Sequence, residues 1–393
     1  LLSKKLQQVE WGEFTLGELF EVLTSKKRFD ANKVQVFQDG KNPYVVRTSS
    51  NNGQRGFIVE DESYLNEGNT ISFGQDTATM FYQEKPYFTG DKIKVLKAKN
   101  KKFNKNIAQF FISTMAKAFS TFSWGSSSFN VNIIENQKLT LPTQNGKIDF
   151  AFMEQFIAEL EAERIAELEA YLRVTGLSDY ILTEEERAVL EAFRSGKISW
   201  GGVKLLDKQQ VKDIEWRVFR MEDVLEWQPQ KEIDPLKLDK LKDKNQKLYP
   251  FYGQATLNNG IISYNQLVEE VLNNKEGKPT ILIHSNNQNT IYLESPFYLK
   301  DGHGATSVLQ SKKLNKLNAL YFMSSIKKVI LSKYSYNAKA TKIELKNTLI
   351  SLPSLQGKPL YDYMEVFIRA VQKLVIKDVV QYAERKVAAT RAV

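Results

Sequence analysis

The chain has no cysteine and only two histidines, His284 and His303, in 393 residues. The first absence excludes a disulfide framework and any zinc finger; with so little imidazole, no metal site is expected. No apolar run reaches the roughly 20 residues needed to cross a bilayer, and Leu1-Leu2-Ser3-Lys4-Lys5-Leu6 lacks a signal peptide's apolar stretch and cleavage site. A cytoplasmic location is expected, and the start at Leu1 in place of Met points to a trimmed N-terminus. Also missing are a Gly-rich phosphate loop, a G-x-G-x-x-G turn, and the Asn/Asp-Pro-Pro-Tyr/Phe motif of amino-methyltransferases. Asn42-Pro43-Tyr44 is a fragment of the last but lacks the second proline, and it reads as a turn into a strand. The chain is therefore expected to be no enzyme and to carry no cofactor of its own.

What is present is enough apolar material, 42% with 11% aromatic, for two cores of ordinary domain size. The formal net charge of +9 suits a polyanionic partner, although a mildly basic protein of any function would share it. The charge is uneven. Between 150 and 175 lie Glu154, Glu159, Glu161, Glu163, Glu167 and Glu169 against Arg164 and Arg173, so the remainder is more basic than the total suggests.

The chain also repeats itself. Glu10-Trp11-Gly12-Glu13-Phe14 returns as Glu215-Trp216-Arg217-Val218-Phe219, and Asn42-Pro43-Tyr44 is matched to Lys247-Leu248-Tyr249. In order there follow Asn51-Asn52-Gly53 with Asn258-Asn259-Gly260, Pro86-Tyr87-Phe88 with Pro296-Phe297-Tyr298, and Leu139-Thr140-Leu141-Pro142 with Ile350-Ser351-Leu352-Pro353. A period of roughly 200 residues is too long for a solenoid unit and indicates two whole domains of one ancestry. Within each, short β-like runs such as Thr70-Ile71-Ser72-Phe73 and Thr280-Ile281-Leu282-Ile283 alternate with Asn/Gly/Ser clusters, and an amphipathic helix is predicted near 106–119 and again near 314–331. The fold class is α+β.

Each copy runs into a long helical stripe. Phe150, Met153, Ile157, Leu160, Ile165, Leu168 and Leu172 recur at spacings of three and four before Gly176 ends the pattern. Tyr361, Met364, Ile368, Val371, Val375, Val379 and Tyr382 keep the same rhythm. At ~1.5 Å per residue such helices reach roughly 40 Å, longer than a small domain is wide. The expected partner of each stripe is the other, as a coiled coil with Met153, Ile157, Leu160, Leu168, Met364, Ile368, Val371 and Val375 in the seam. The basic side chains Arg369, Lys373, Lys377, Arg385 and Lys386 complement the acidic first helix. The alternative is that each stripe packs on its own domain. The boundaries expected are 1–148 for the first domain, 149–176 for its helix, 177–211 for a linker with a short helix capped by Thr183 and Glu186, 212–359 for the second domain and 360–393 for its helix.

The loops differ between copies where the frame repeats. The first copy offers Arg47, Ser49, Ser50, Asn51, Asn52, Gln54 and Arg55, then Gln75, then Trp124, Ser126, Ser127 and Asn130. The second offers Gln254, Asn258 and Asn259, then His284, Asn286 and Asn287, then His303, then Tyr336, Asn337, Lys339 and Lys342. Arg grips guanine or phosphate with a bidentate fork, Asn and Gln pair bidentately with adenine, and Ser, Thr and Lys serve the backbone. Taken singly, each loop also reads as ordinary turn composition. A shared scaffold with divergent polar loops suits two different half-sites.

With its tandem domain, the helix after each copy, the aromatic opening around Trp11 and Trp216, the Asn-Asn-Gly turns and the Leu-Pro exits, the chain resembles the specificity subunit of type I restriction–modification systems over nearly its full length. The segment from Thr175 to Phe193 is similar to a subgroup shared with type IIB specificity subunits. No counterpart of residues 177–193 is seen ahead of the first copy. The resemblance implies two target-recognition domains that read a bipartite duplex target, an antiparallel coiled coil, docking of methyltransferase subunits, two in number, and a restriction subunit. S-adenosylmethionine, and ATP with Mg²⁺ for restriction, would then belong to those partners. Two rival readings are a self-contained nucleic-acid-modifying enzyme and a coiled-coil scaffold that binds proteins but not DNA.

Overall fold

The computed structural model describes residues 2–120, 129–195, 214–335 and 339–391. The chain divides into two compact units, Leu1–Ala170 with Arg385–Val393, and Tyr171–Glu384. Among the described residues no helix is long and apolar enough to cross a membrane.

In the first unit, strand Glu10–Thr15 pairs antiparallel with Lys138–Gln144, so the domain opens and closes on neighbouring strands. A second sheet runs in the order Phe20–Thr24, Ile93–Ala98, Thr70–Gly74, Met80–Gln83. Its inner strand Thr70–Gly74 is buried at every position. Burial on both faces demands that its hydroxyls be satisfied locally: Thr70 Oγ1 donates to the Glu67 carbonyl at 2.9 Å and Ser72 Oγ to that of Phe81 at 3.2 Å. A third sheet joins Gln54–Phe57, Pro43–Val45 and Phe88–Thr89, the last pairing parallel. Helix Lys105–Phe119 is capped by Asn104, whose side chain accepts from the amides of Asn106 and Ile107, and it buries Ile107, Phe111 and Met115 against Phe20, Phe73 and Leu96.

The second unit rebuilds this plan. Ile214–Arg220 pairs with Leu349–Leu355, Thr280–His284 lies between Thr290–Leu293 and Thr306–Gln310, and Tyr249–Tyr252 lies between Ile261–Asn265 and Tyr298–Lys300. Helix Lys316–Lys333 is capped by Asn315 as its counterpart is by Asn104. The pairing also corrects the expected register of one repeat. Tyr44 lies opposite Phe88 and Phe251 opposite Tyr298, so Pro43 corresponds to Pro250 and Tyr44 to Phe251, two positions beyond the match to Lys247-Leu248-Tyr249.

The long helices span Phe150–Val174 and Tyr361–Arg391. Their first turns belong to the domains they leave. Met153 and Met364 are fully buried in the first and second cores, and Ile368 joins the second. The expectation that these three form a helix–helix seam is therefore corrected: period-3.6 burial there is supplied by sheet and helix of the same domain. Ile157 packs on the edge of the first core, while Leu160, Leu168 and Val371 are half-buried. Val375 is 75% exposed and is no seam residue. Within the first unit Lys386 Nζ reaches Glu161 Oε1 at 2.5 Å, which joins the two helices by opposite charges as their composition predicts.

The linker helix Glu184–Ser195 starts on the predicted capping box, Glu186 N donating to Thr183 Oγ1 at 3.1 Å and Thr183 N to Glu186 Oε2 at 2.9 Å. The same carboxylate, 1% exposed, meets Lys373 Nζ at 3.1 Å, and Lys373 also takes Asp179 at 2.7 Å and the Ile181 carbonyl at 2.9 Å. The rest of the expected linker, residues 196–211, lies outside the described residues. A short helix, Leu2–Gln8, sits before the first domain: Leu6 accepts from Trp11 Nε1 at 3.3 Å, and Lys5 pairs with Glu159. Phe193 of the linker helix meets Trp216 with ring centroids 6.2 Å apart.

Two mutations separate these packing roles. Met153→Ala should destabilise the first domain by about 2–5 kcal/mol in chemical denaturation, as a buried methionine truncation does, whereas Val375→Asp should stay within about 0.5 kcal/mol of wild type; equal effects would return Met153 to the seam. Lys373→Met should cost about 3–5 kcal/mol, because it strands the buried Glu186 carboxylate without its partner, and the melting of the second domain is the readout.

Candidate nucleic-acid interface

Four loops of the first domain converge at one place. The segment after strand Pro43–Val45 is closed by Val46 N donating to the Gly53 carbonyl at 2.8 Å. The hairpin turn 74–79 lies beside it, with Arg47 Nη1 ion-paired to Asp76 Oδ2 and Lys92 Nζ on the same oxygen at 2.8 Å. Phe129 N donates to the Gln75 carbonyl at 3.0 Å, and Gln75 Nε2 returns a bond to the Phe129 carbonyl at 2.8 Å, which brings in the start of helix Val131–Glu135. Sequence reasoning passes over the fourth loop, Gly90-Asp91-Lys92. Its signal is the Gly-Asp pair ahead of a lysine that takes a positive φ of 56°.

The second domain assembles the same four. Gly253 N donates to Gly260 O at 3.0 Å, Asn287 Nδ2 donates to the Gln254 carbonyl at 2.9 Å, Ser285 N donates to Ala305 O at 2.8 Å, and Ala340 N donates to Ser285 O at 3.3 Å. The sequence candidates in the described residues thus fall together, domain by domain. Trp124, Ser126, Ser127, Tyr336 and Asn337 lie outside the described residues.

The candidates differ in what their side chains are free to do. Asn51 and Asn52 hold φ of 48° and 53°, and Asn258 and Asn259 hold 49° and 50°, the left-handed region that asparagine tolerates best among residues with a side chain. Their amides serve the turn: Asn51 Nδ2 donates to Gln54 O at 3.0 Å, Asn52 Nδ2 to Tyr82 O at 3.0 Å, and Asn258 Nδ2 to Ile261 O at 3.2 Å. Gln54 is half-buried and donates weakly to Gly56 O. Asn130 spends its oxygen capping Ile133. Arg55, Ser49 and Ser50 are exposed, as are Lys339 and His303, the latter held by Asp301 at 3.5 Å; Lys342 opens a short helix capped by Thr341. Asp301 titrates below the ordinary carboxylate range because it accepts the His303 amide.

His284 is not a surface reader. It is fully buried at the end of strand Thr280–His284, with Nδ1 against Thr306 Oγ1 at 2.9 Å, and Nε2 has no hydrogen-bond partner among the described residues. Burial pushes its pKa down to about 4 from an ordinary 6.5. The position corresponds to Gly74, where an added Cβ would come within 2.6 Å of Thr77 Oγ1 and 2.7 Å of Thr79 Oγ1; the two domains fill this corner by opposite means.

Between about pH 6.5 and about 4 the unfolded chain takes up a proton that folded His284 refuses, so its contribution makes stability fall as pH drops through that window. The slope attributable to it reaches ~1.4 kcal/mol per pH unit. His284→Gln should flatten the dependence of the denaturation midpoint on pH between 6.5 and 4.5; identical slopes in wild type and variant would show that the imidazole is protonated in the folded state.

Each domain also carries a second shared feature, a groove beside its tryptophan. In the first domain it holds about 810 Å³ between Trp11, Phe110, Lys117, Phe156 and Ile157. In the second it holds about 620 Å³ between Trp216, Tyr321, Lys328, Phe367 and Ile368, the same positions of the repeat.

Residues 8–170 and 213–381 each match the family described as type I restriction modification DNA specificity domain. Over 374 residues the chain is 23% identical to a specificity subunit, S.BcgI, of a type II restriction enzyme from Heyndrickxia coagulans, covering 94% of this chain and 96% of that one. Its fold is similar to that of the type I restriction–modification system S subunit from M. genitalium, with a TM-score of 0.60 at 12% identity over 98% of this chain and 94% of the other. Two copies of the family's domain, each with its own core and loop cluster, make this chain a member of the type I restriction modification DNA specificity domain family and a specificity subunit of a restriction–modification system.

Proposed function

We propose that this chain reads a bipartite duplex target, one half-site per domain, and performs no chemistry itself. The observation that carries the reading is the loop cluster. The two domains close the same turns with the same backbone bonds, yet present Arg47, Arg55 and Lys92 in one and Gln254, Asn287 and His303 in the other. A fixed scaffold with exchanged donors and acceptors is what reading two unlike sequences requires. The net charge of +9 supports a phosphate backbone as partner.

Methylation and cutting then belong to other subunits. Two methyltransferase subunits bring S-adenosylmethionine, and a restriction subunit uses ATP and Mg²⁺, in the cytoplasm. Duplicated grooves beside Trp11 and Trp216, lined alike where the reading loops are not, support docking of two copies of one partner. The linker's likeness to type IIB subunits, with the relationship to the specificity subunit of a type II enzyme, favours a type II complex as an alternative to type I.

The chain should be co-purified with its methyltransferase and the methylated sites on DNA mapped. Two unlike half-sites separated by unspecified base pairs are expected, and the chain alone should neither methylate nor cut with S-adenosylmethionine, ATP and Mg²⁺ present. A continuous target, or activity of the isolated chain, sinks the proposal. Arg55, exposed and without a side-chain partner among the described residues, gives a local check. Arg55→Ala should weaken recognition of one half-site by ~1–3 kcal/mol for a base contact, whereas an equal loss over all sequences in a binding titration would mark a phosphate contact.

A further inference from the structure

The register of the two domains aligns one pair of side chains that the sequence alone does not. Arg47 and Gln254 are each the first residue after the amide that closes the loop, Val46 N to Gly53 O and Gly253 N to Gly260 O. Asp76 and Asn286 occupy the same place in the facing turns. Gly74 N to Thr79 O and His284 N to Asn289 O both measure 2.9 Å, and Ala78 and Gln288 share a positive φ, 48° and 53°. In the first domain the pair is ionic, Arg47 on Asp76, with Lys92 on the same carboxylate. In the second it is a pair of amides. There Gln254 Oε1 and Asn286 Oδ1 are buried with no hydrogen-bond partner among the described residues.

We propose that this pair sets the base each domain prefers: Arg47, held by Asp76, for guanine, and Gln254 with Asn286 for adenine. The inference rests on the DNA-reading function above. A guanidinium ion-paired through one Nη to a carboxylate keeps its other N–H donors for a second partner, and two such donors match guanine O6 and N7. Asp76 is then a positioning residue, acting through Arg47. In the second domain, what the orphaned amide oxygens lack is a donor, and the adenine N6 amine supplies one while N7 accepts from the amide nitrogen. Both residues are half-buried rather than enclosed, and reading a base requires their amides to turn outward by side-chain rotation. The two domains thus keep one reading position and change only its chemistry, from charged fork to neutral amide.

The test is selection from a pool of randomised duplex DNA by the full-length protein, wild type against Gln254→Arg/Asn286→Asp and against Arg47→Gln/Asp76→Asn. Each double variant should change the preferred base at one position of one half-site, leave the other half-site intact, and bind the original target roughly 5- to 150-fold more weakly, the range of one bidentate base contact. Asp76→Asn alone should broaden the preference at that position without moving it to another half-site. Unchanged selection in both halves at wild-type affinity overturns the pair, as does a uniform loss over all sequences. Should the buried pair not tolerate Gln254→Arg/Asn286→Asp, shown by lost melting, the partly exposed Arg47–Asp76 exchange decides the matter alone. If wild type itself selects no sequence, the DNA-reading function fails; if it selects a bipartite target that neither exchange alters, only the pair does.

Discussion

Each long helix is anchored by its first turn inside the core of the domain that precedes it, and the rest of the structure depends on that anchor. The backbone makes it twice in the same way: Asp149 N donates to Pro142 O at 2.9 Å, and Leu360 N to Pro353 O at 2.8 Å, so each exit strand hands the chain to its helix at a fixed angle. One turn on, Met153 and Met364 are buried, and a glutamate on the outer side, Glu154 or Glu365, accepts from the asparagine that caps the domain's central helix, at 2.8 Å and 2.6 Å. Interiors packed like crystals resist rotation of such an insert, since any turn opens a void or forces a clash. Orientation of the loop cluster is therefore tied to the direction of the helix that leaves the same domain.

The loops can diverge because the frame does not rely on the side chains that vary. Turn geometry is held by backbone bonds and by asparagine amides turned inward, so exchanging Arg47 for Gln254 or Asp76 for Asn286 leaves the closures at Val46 and Gly253 intact. The divergence still costs something locally. The ionic corner of the first domain pairs Arg47 and Lys92 with Asp76, and the amide corner of the second leaves Gln254, His284 and Asn286 each with a polar atom that has no hydrogen-bond partner among the described residues.

Much of this was legible in the sequence. The repeat indicates two domains, amphipathic spacing near 106–119 and 314–331 marks the central helices that the structure places at Lys105–Phe119 and Lys316–Lys333, and the Thr183–Glu186 box places the linker helix, because those signals are local. Three features were not. The stripe of a long helix has the same period whether a sheet or a second helix covers it, so spacing alone does not distinguish a seam from the domain cores that bury Met153, Met364 and Ile368. The short match at 42–44 stands two positions off because it keeps the offset of 205 set at Trp11 and Trp216, whereas strand pairing follows the offset of 207 that Asn51-Asn52-Gly53 and Asn258-Asn259-Gly260 already carry. An asparagine in a turn gives no sign of whether its amide faces solvent or the chain, and the Nδ2 groups of Asn51, Asn52 and Asn258 donate to the chain's own carbonyls.

The pairing of first strand with last has a consequence for how such a chain arises. Glu10 lies opposite Thr143 and Ile214 opposite Leu355, so each domain takes in the backbone and releases it on adjacent strands. A module whose two ends are neighbours is spliced into a longer polypeptide without stretching any of its internal connections. Tandem duplication of the gene segment then yields a second complete fold at once, and exchange of one copy for another replaces a whole domain while the strand pairings within its neighbour are preserved.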